Sequence, residues 1–341
     1  MSSTALSLGY LGTCVVYTLV ASYLDDGSEE GLKKDEDKPT LKHHLGVVVL
    51  TLKLAVRMWY VVFYWQAAWE GLTKPLIALF IFSYMLRVFA NNGVGHRYFS
   101  HGSYKMSAGL EMFFAVVIAM SNVRLLYWAL EHMIHHARCD RHNDPHSPKN
   151  DGLFYVQFVG CKAVTVKRFF DYKGDALRNG YQNNLEWVDK QCTLLSLGED
   201  AFWYFLFGFE AHFWARALPI VLCSHSVRLS NTASHWLGYQ PYETGLCGAT
   251  NCWWAALLNG GEGWHNNHHA FSRTTCHGFR WYEFDWNYVV LCGFEKLGMV
   301  WDMQMASEEV LSHYGKHERF VPTEKYVIKG KEVKKVTKKE N

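Results

Sequence analysis

A bilayer crossing needs roughly 20 mostly apolar residues in succession, and this chain carries several such stretches separated by charged segments. Residues 5–24 (ALSLGYLGTCVVYTLVASYL) are uncharged and lack the basic start of a cleaved signal or transit peptide, so they read as an uncleaved anchor. The charged linker that follows, residues 25–43, holds four lysines, which favour the cytosolic side. Residues 44–68 and 75–95, joined by a turn at Glu70–Lys74, read as a helical hairpin across the membrane. Lys53 and Arg57 sit inside its first helix, and mid-bilayer charge is costly, so either they face a polar interior or the helix is shifted in register. A second hairpin is expected from Cys192 to Leu229, broken near Glu210 and kinked at Pro219. Residues 137–190 and 236 onward are mixed in polarity and read as extramembrane, largely helical with loops. The expected organisation is therefore an anchor and linker (1–43), a main body (44–305) and a lysine-rich cytosolic tail (306–341).

Bulk properties exclude some functions. Net charge is only +2, from 34 basic and 32 acidic residues, so no overall field points to nucleic acid. The nine cysteines are odd in number and include no CxxC pair, which argues against a disulfide framework or a thiolate zinc site. They read as ordinary reduced thiols. The 18 histidines and 14 tryptophans are the conspicuous excess, suited to metal ligation and to the water–lipid boundary.

Nine of the histidines fall in four groups: His96 and His101 in HRYFSH, His132, His135 and His136 in HMIHH, His235 in NTASH, and His265, His268 and His269 in HNNHH. On a helix, positions i, i+3 and i+4 share a face, so each HxxHH triplet is expected to aim three imidazoles at a common point. His96 and His101, five apart, do not share an α-helical face, but a helix that ends or unwinds there could turn both inward. Nine imidazoles exceed the needs of one ion of four to six ligands, so two ions are implied. Structural zinc would recruit cysteines and hydrolytic zinc needs about three ligands, so an oxygen-activating iron pair fits best. Solitary His212, His225 and His277 read as hydrogen-bonded core residues. Sharing one site puts all four groups on one side of the bilayer. The apolar stretch 109–130 must therefore lie in the membrane interface and not cross, which Asn122 and Arg124 near its middle make easier.

From Gly93 to Trp301 the sequence resembles the acyl-CoA delta-9 desaturases, the stearoyl-CoA desaturase group, through GVGHRYFSHGSYK, WALEHMIHH with NDPHSPKNDGLF, SNTASHWLGYQPY and NGGEGWHNNHHAFS. The resemblance implies an all-α membrane protein: four core transmembrane helices in two hairpins under a cytosolic helical cap, with an acyl tunnel passing two irons. It implies that the nine histidines are the iron ligands, with Asn231 joining through water. Asn231 and His235, spaced i and i+4, can share a helical face. Trp128 would bend the acyl chain, Asn122 stands at a polar tunnel position, and Glu131 replaces an acid that contacts the CoA head. Tyr84 and Val88 would lie at the methyl end, and the size of Val88 points to palmitoyl over stearoyl. Val227 and Arg228 replace a threonine and tryptophan of the animal enzymes, which puts the bond position in question.

An unactivated methylene has no acidic proton, so side-chain acid–base chemistry cannot start its oxidation and a metal oxidant with O2 as co-substrate is required. O2 takes two electrons from the substrate and two from a donor. No HPGG haem motif is present, so the donor is expected to be a separate cytochrome b5 with its reductase, or ferredoxin. The terminal Lys338-Lys339-Glu340-Asn341 matches a dilysine retrieval signal, implying the endoplasmic reticulum membrane with the site facing the cytosol. Fatty acyl-CoA and the bilayer are the expected partners, and nucleic acid is not. The alternatives are an acyl-lipid desaturase or a hydroxylase with the same irons, and a non-catalytic metal-binding membrane protein.

Overall fold

The computed structural model describes residues 41–162, 182–314 and 327–329, together with Gly12. The expected anchor at 5–24, most of the charged linker and the terminal dilysine lie outside the described residues. Helix α1 (Leu41–Glu70) turns at residues 71–73 into α2 (Lys74–Val88), which has a proline in its first turn, where no donor is needed. The helix then continues as a wider π-helix over Phe89–Ser100. Helices α3 (Ala108–Met120) and α4 (Leu125–Arg138) meet at an 88° corner. Asn122 forms that corner with φ 63°, a left-handed conformation that asparagine tolerates better than most residues. The stretch 109–130 is therefore not one straight crossing.

After α5 (Gln182–Lys190), the second apolar run folds as α6 (Cys192–His212), a π-helical turn (Phe213–Ala217) and α7 (Leu218–Asn231). Its break falls at Gly208, where φ 86° and ψ −178° suit only glycine, two residues before the expected Glu210. Pro219 cannot donate to the carbonyl four residues earlier. That carbonyl, Ala215 O, instead accepts a 2.6 Å bond from Ser83 Oγ of α2, so the proline is accommodated by a neighbouring helix. The rest of the chain adds α8 (Trp253–Asn259), α9 (His265–Ala270) and α10 (Trp286–Lys296). Two small antiparallel ribbons depart from the all-helical expectation: β1 (Lys105–Met106) with β2 (Val300–Trp301), and β3 (Gln304–Ala306) with β4 (Val327–Lys329).

Among the described residues, by length and composition two helical runs can cross a membrane, Lys74–Ser100 and Cys192–His235, with a third if the α3–α4 corner counts as one broken span. Large apolar side chains point outward along them, including Phe82 on α2 and Phe205 and Leu206 on α6, and Trp59, Val62 and Trp69 do so on α1. This is surface a bilayer would cover. Inside, Phe89, Phe114 and Phe294 join α3 and α10 to the π-helix, with ring centroids 5.2 to 6.1 Å apart.

The charges in α1 face a polar interior. Lys53 Nζ donates to Asn122 Oδ1 at 3.3 Å and to Thr193 Oγ1 at 3.2 Å. Arg57 pairs with Asp200 at 3.0 Å and donates to Ser196. Arg216 also pairs with Asp200, at 3.0 Å, and with Glu199, which pairs in turn with Arg87. This buried lattice ties α1, α2, α6 and the π-helical turn before α7 together.

One expectation fails. Cys139 and Cys247 form a disulfide, so the cysteines are not all reduced thiols. The two are 108 residues apart in sequence, and a test for closely spaced pairs cannot detect partners that only tertiary folding brings together.

Removing one partner of a buried ion pair strands the other charge and costs about 3–5 kcal/mol. Asp200→Ala, which strands Arg57 and takes one of two carboxylates from Arg216, should lower the unfolding midpoint in detergent by several degrees. Breaking the exposed Lys105–Asp302 pair with Lys105→Ala should change stability by at most about 0.5 kcal/mol. Equal midpoints for the two variants would remove the lattice from the account of the fold.

Candidate metal centre

The nine grouped histidines converge, but not as each triplet was expected to. His96, His101, His132, His136 and His268 place ring nitrogens within 4.8 Å of one another. His135, His235 and His269 form a second group, also within 4.8 Å, and His265 Nε2 joins it 3.1 Å from His269 Nε2. The two groups abut where the His136 and His269 rings stack at 4.3 Å. Each HxxHH triplet is thus divided between two positions. At roughly 100° per residue, i and i+4 lie about 40° apart on a helix while i+3 falls on the other side of i. His132 and His136 accordingly serve one position and His135 the other, and in α9 His265 and His269 pair while His268 crosses over.

The π-helix explains HxxxxH. Its i→i+5 bonding brings residues five apart near one another, and the His96 and His101 rings meet with centroids 4.8 Å apart. The segment is buried throughout. His235 departs from the i, i+4 expectation, because α7 ends at Asn231 and His235 sits on a separate 3-10 turn, Ala233–His235. There Thr232 Oγ1 bonds back to Arg228 O at 3.0 Å, a local competition that ends helices.

Carboxylates that sequence reading gave no role hold several rings from behind. His96 Nδ1 lies 2.6 Å from Glu262 Oε2. His135 Nδ1 is 2.9 Å from Asp144 Oδ1, whereas His235 Nδ1, 3.7 Å from Asp140 Oδ2, lies beyond hydrogen-bond reach of it. A carboxylate at Nδ1 keeps the proton there and leaves the Nε2 lone pair pointing into the centre. Glu262 also pairs with Arg97 at 2.8 Å, and His277 Nδ1 lies 3.1 Å away. Burial opposes ionisation of Glu262, but the charges of Arg97, His277 and His96 hold its pKa well below the usual range. For Asp144, burial is likewise outweighed by the His135 bond, and the pKa is lowered. Burial, then neighbouring imidazoles, depress His265, His268 and His269 far below the ordinary value, so these rings are neutral and able to ligate.

The donor set fits metal ions. Nε2 atoms approach one another at 2.8 Å (His96–His132), 3.0 Å (His96–His268), 2.9 Å (His132–His101) and 2.8 Å (His268–His136). Ligands about 2.1 Å from one ion at right angles would be roughly 3.0 Å apart. Where carboxylates fix the protons at Nδ1, facing lone pairs repel unless a cation lies between them. His235 Nε2 is buried and has no hydrogen-bond partner among the described residues, an orphan that a metal would satisfy.

The loop and helix around HNNHH are locked by amides. Asn251 Oδ1 accepts from the backbone N–H of Asn266 and Asn267 at 3.0 and 3.2 Å. Asn267 Nδ2 donates to Glu283 and to His277 O. Gly261, at φ 104°, lets the preceding turn approach Asp285, where a Cβ would lie 2.5 Å from the carboxylate. The motifs NDPH and EGWH held Asp144, His146 and Glu262 in plain view, but only a folded chain shows which ring each one faces. His146, pushed down to about 3 by burial and by His135, packs 4.2 Å from the His135 ring. Of the solitary histidines, His212 bonds to Tyr60 and Asp200 and His225 to Gln157, as core residues, whereas His277 lies 4.5 Å from the His268 ring.

Beside the centre lies a cavity of about 220 Å³, lined among others by Trp128, Asn122, Glu131 and Asn231. The Trp128 ring stacks on His132 at 5.8 Å. Glu131 is buried in this wall. Tyr84 and Val88 stand apart from the lining: Tyr84 Oη donates to Leu258 O at 2.8 Å, and Val88 is fully enclosed.

Loss of a carboxylate behind a ligating histidine typically weakens metal binding by about 10–100-fold. Glu262→Gln and Asp144→Asn should each show that loss when metal content is measured by elemental analysis after dialysis against a graded chelator. Retention equal to the parent chain would show that these carboxylates do not aim the rings.

The fatty acid desaturase family profile matches residues 72–288. The chain is 32% identical to an acyl-CoA 5-desaturase of Anemone leveillei over 255 residues, covering 72% of this chain and 74% of that one. It is 33% identical to a chloroplastic palmitoyl-monogalactosyldiacylglycerol delta-7 desaturase of Arabidopsis thaliana over 223 residues, 62% of this chain and 57% of that one. It is 28% identical to an sn-1 stearoyl-lipid 9-desaturase of Synechocystis over 225 residues, 64% of this chain and 68% of that one.

Proposed function

Since this chain belongs to the fatty acid desaturase family, we propose that it inserts a double bond into a saturated fatty-acyl chain at a di-iron centre held by the nine histidines, with Asn231 contributing through water. The observation that carries this reading is the division of nine imidazoles into groups of five and four beside one cavity. In this reading four core helices cross the endoplasmic reticulum membrane and the remainder caps them on the cytosolic side. Bound iron would supply the oxidising power that an unactivated methylene demands, with O2 as oxidant and two electrons from cytochrome b5 and its reductase. Ferredoxin would replace that donor in a plastid.

The chain's own part is to position the methylene and exclude water. Trp128, stacked on His132, forms the cavity wall nearest the ligands and would set the bend of the acyl chain. Leu54, Val123, Val156 and Ile220 supply apolar lining, whereas Lys53 and Arg228 bring positive charge to the same cavity. Arg228 is held by the carbonyls of Gln157 and Phe158, both at 3.1 Å, and faces the Glu131 carboxyl, so Lys53 and Arg228 together leave this wall with a positive excess. That favours a substrate with an anionic head, and we assign acyl-CoA at the delta-9 position, palmitoyl over stearoyl, as the substrate. The relatives named as lipid desaturases support acyl-lipid as the second reading.

Expression in desaturase-deficient yeast, with gas chromatography of the fatty acids, tests this. The expected product is a monounsaturated C16 acid with its bond at carbon 9, and growth without added oleate. His268→Ala should abolish the product while the protein stays in the membrane fraction. A hydroxy acid, or activity that survives His268→Ala, would overturn the assignment. Product found only on membrane lipid in pulse labelling would select the second reading, and strong preference for stearoyl would reverse the chain-length assignment.

A further inference from the structure

Two cysteines with no part in desaturation close the outer wall of the second metal position. Cys139 follows the end of α4, three residues beyond His136, and Cys247 lies in the loop between His235 and α8; their sulfurs are joined. Cys247 Sγ also lies 3.3 Å from His269 Nδ1. Cys139 belongs with His135, His235 and His269 to one set of donor atoms within 4.8 Å of each other. The bridge therefore ties the helix that carries His135 to the loop that backs His269. The five-histidine group contains no cysteine.

We propose that Cys139 and Cys247 are a redox-modified site, at which exchange with a low-molecular-weight thiol sets how firmly the His135, His235, His265 and His269 position retains its metal. The proposal rests on the metal-centre reading but not on desaturation. In the exchange two small thiols are oxidised to one disulfide, the Cys139–Cys247 bond breaks, and each protein sulfur takes one of the two protons released. The protein gains two electrons and the small thiols lose two. Disulfides that persist in reducing compartments are usually redox-sensing or catalytic. Both cysteines are buried but each is next in sequence to an exposed residue, Arg138 for Cys139 and Leu246 for Cys247, so the bridge lies just beneath the surface.

The opened state stays folded. Gly248 N–H donates to Asp140 Oδ2 at 2.7 Å, and Ser147 Oγ donates to Asp140 Oδ1 at 2.6 Å. The Gly248 bond holds the same two segments when the sulfurs part, and the Ser147 bond steadies the carboxylate that accepts it, so reduction loosens the backing of His269 without releasing the loop. The effect is confined to one ion of two.

The test uses the full chain, purified in detergent and loaded with Fe2+ under argon. Mass-resolved maleimide labelling with and without glutathione counts thiols, and elemental analysis follows metal loss to a chelator. Without thiol, labelling should leave Cys139 and Cys247 unmodified. With glutathione both should react, and one of the two metals should leave about tenfold faster, the scale expected when a ligand loses its outer support, while the other leaves at an unchanged rate. Cys247→Ser should show the fast rate with or without glutathione. If that variant fails to fold, glutathione treatment of the parent chain decides alone. Both cysteines reactive in thiol-free protein, both metals lost faster together, or rates indifferent to glutathione would overturn the proposal. A chain that holds no metal in either state would overturn the metal-centre reading with it, which separates the two failures.

Discussion

Neutral imidazoles whose lone pairs face each other repel, and the centre of this protein packs ring nitrogens at hydrogen-bonding distance from one another. Four Nε2–Nε2 approaches of 2.8 to 3.0 Å run through the five-histidine group alone. Where the protons are kept on the far side of the rings, a cation between the near sides would relieve that repulsion; elsewhere one ring must donate its proton to the next. Glu262 and Asp144 keep the proton on the far side at His96 and His135, and Arg97 keeps Glu262 ionised despite its burial. The centre is therefore built outward in alternating charge: cation position, imidazole, carboxylate, guanidinium. Asp285, which also pairs with Arg97 at 2.9 Å, closes that series through the loop that Gly261 allows to come near.

Regular α-helices could not deliver these rings. A 3.6-residue period cannot bring His96 and His101 together, and the widened helix over Phe89–Ser100 can. His235 needs α7 to stop four residues before it, and Asn122 needs a left-handed turn to bring α4 back toward the centre. Each irregularity frees backbone groups that hydrocarbon cannot satisfy. Side chains take them up, as Ser83 does for the carbonyl left by Pro219 and Asn91 for Arg87 O at 2.8 Å. The charged lattice around Asp200 belongs to the same economy, since it fixes the spacing of α1, α2, α6 and the π-helical turn by directional bonds where apolar packing against lipid gains little.

What the sequence makes legible follows from the range of the interaction involved. Apolar runs and their breakers are local, and the helices form where those runs lie, with the break at Gly208 only two residues from expectation. The HxxHH spacing is local too and marks α4 and α9 as ring-bearing helices. It misleads about aim, because i+3 and i+4 lie about 100° apart and the triplet's division between two positions depends on where the second position is. The carboxylates illustrate the limit further. Asp144 is nine residues from His135, but Glu262 is 166 from His96, and no spacing rule joins the latter pair. Lys53 and Arg57 are the converse case: their charge left a polar interior and a shifted register equally open, and Asp200 and Asn122 as partners could be named only once α6 and the α3–α4 corner were in place.

The same reasoning separates the two metal positions in kind. The five-histidine position is enclosed by the π-helix over Phe89–Ser100 and by α4 and α9, whose mutual placement is set by the buried core and by Arg97. The four-histidine position draws His235 from a short turn and is backed by the loop that holds Cys247, a segment with few helical neighbours. A position bounded by helices has its geometry fixed by packing over its whole length, whereas one backed by a loop depends on a few discrete bonds, here Asp140 to Gly248 and the disulfide. The asymmetry follows from the chain path and not from the ligands, which are imidazoles at both positions. It makes the four-histidine side the one whose metal affinity the rest of the molecule can alter without disturbing the helices that frame the cavity.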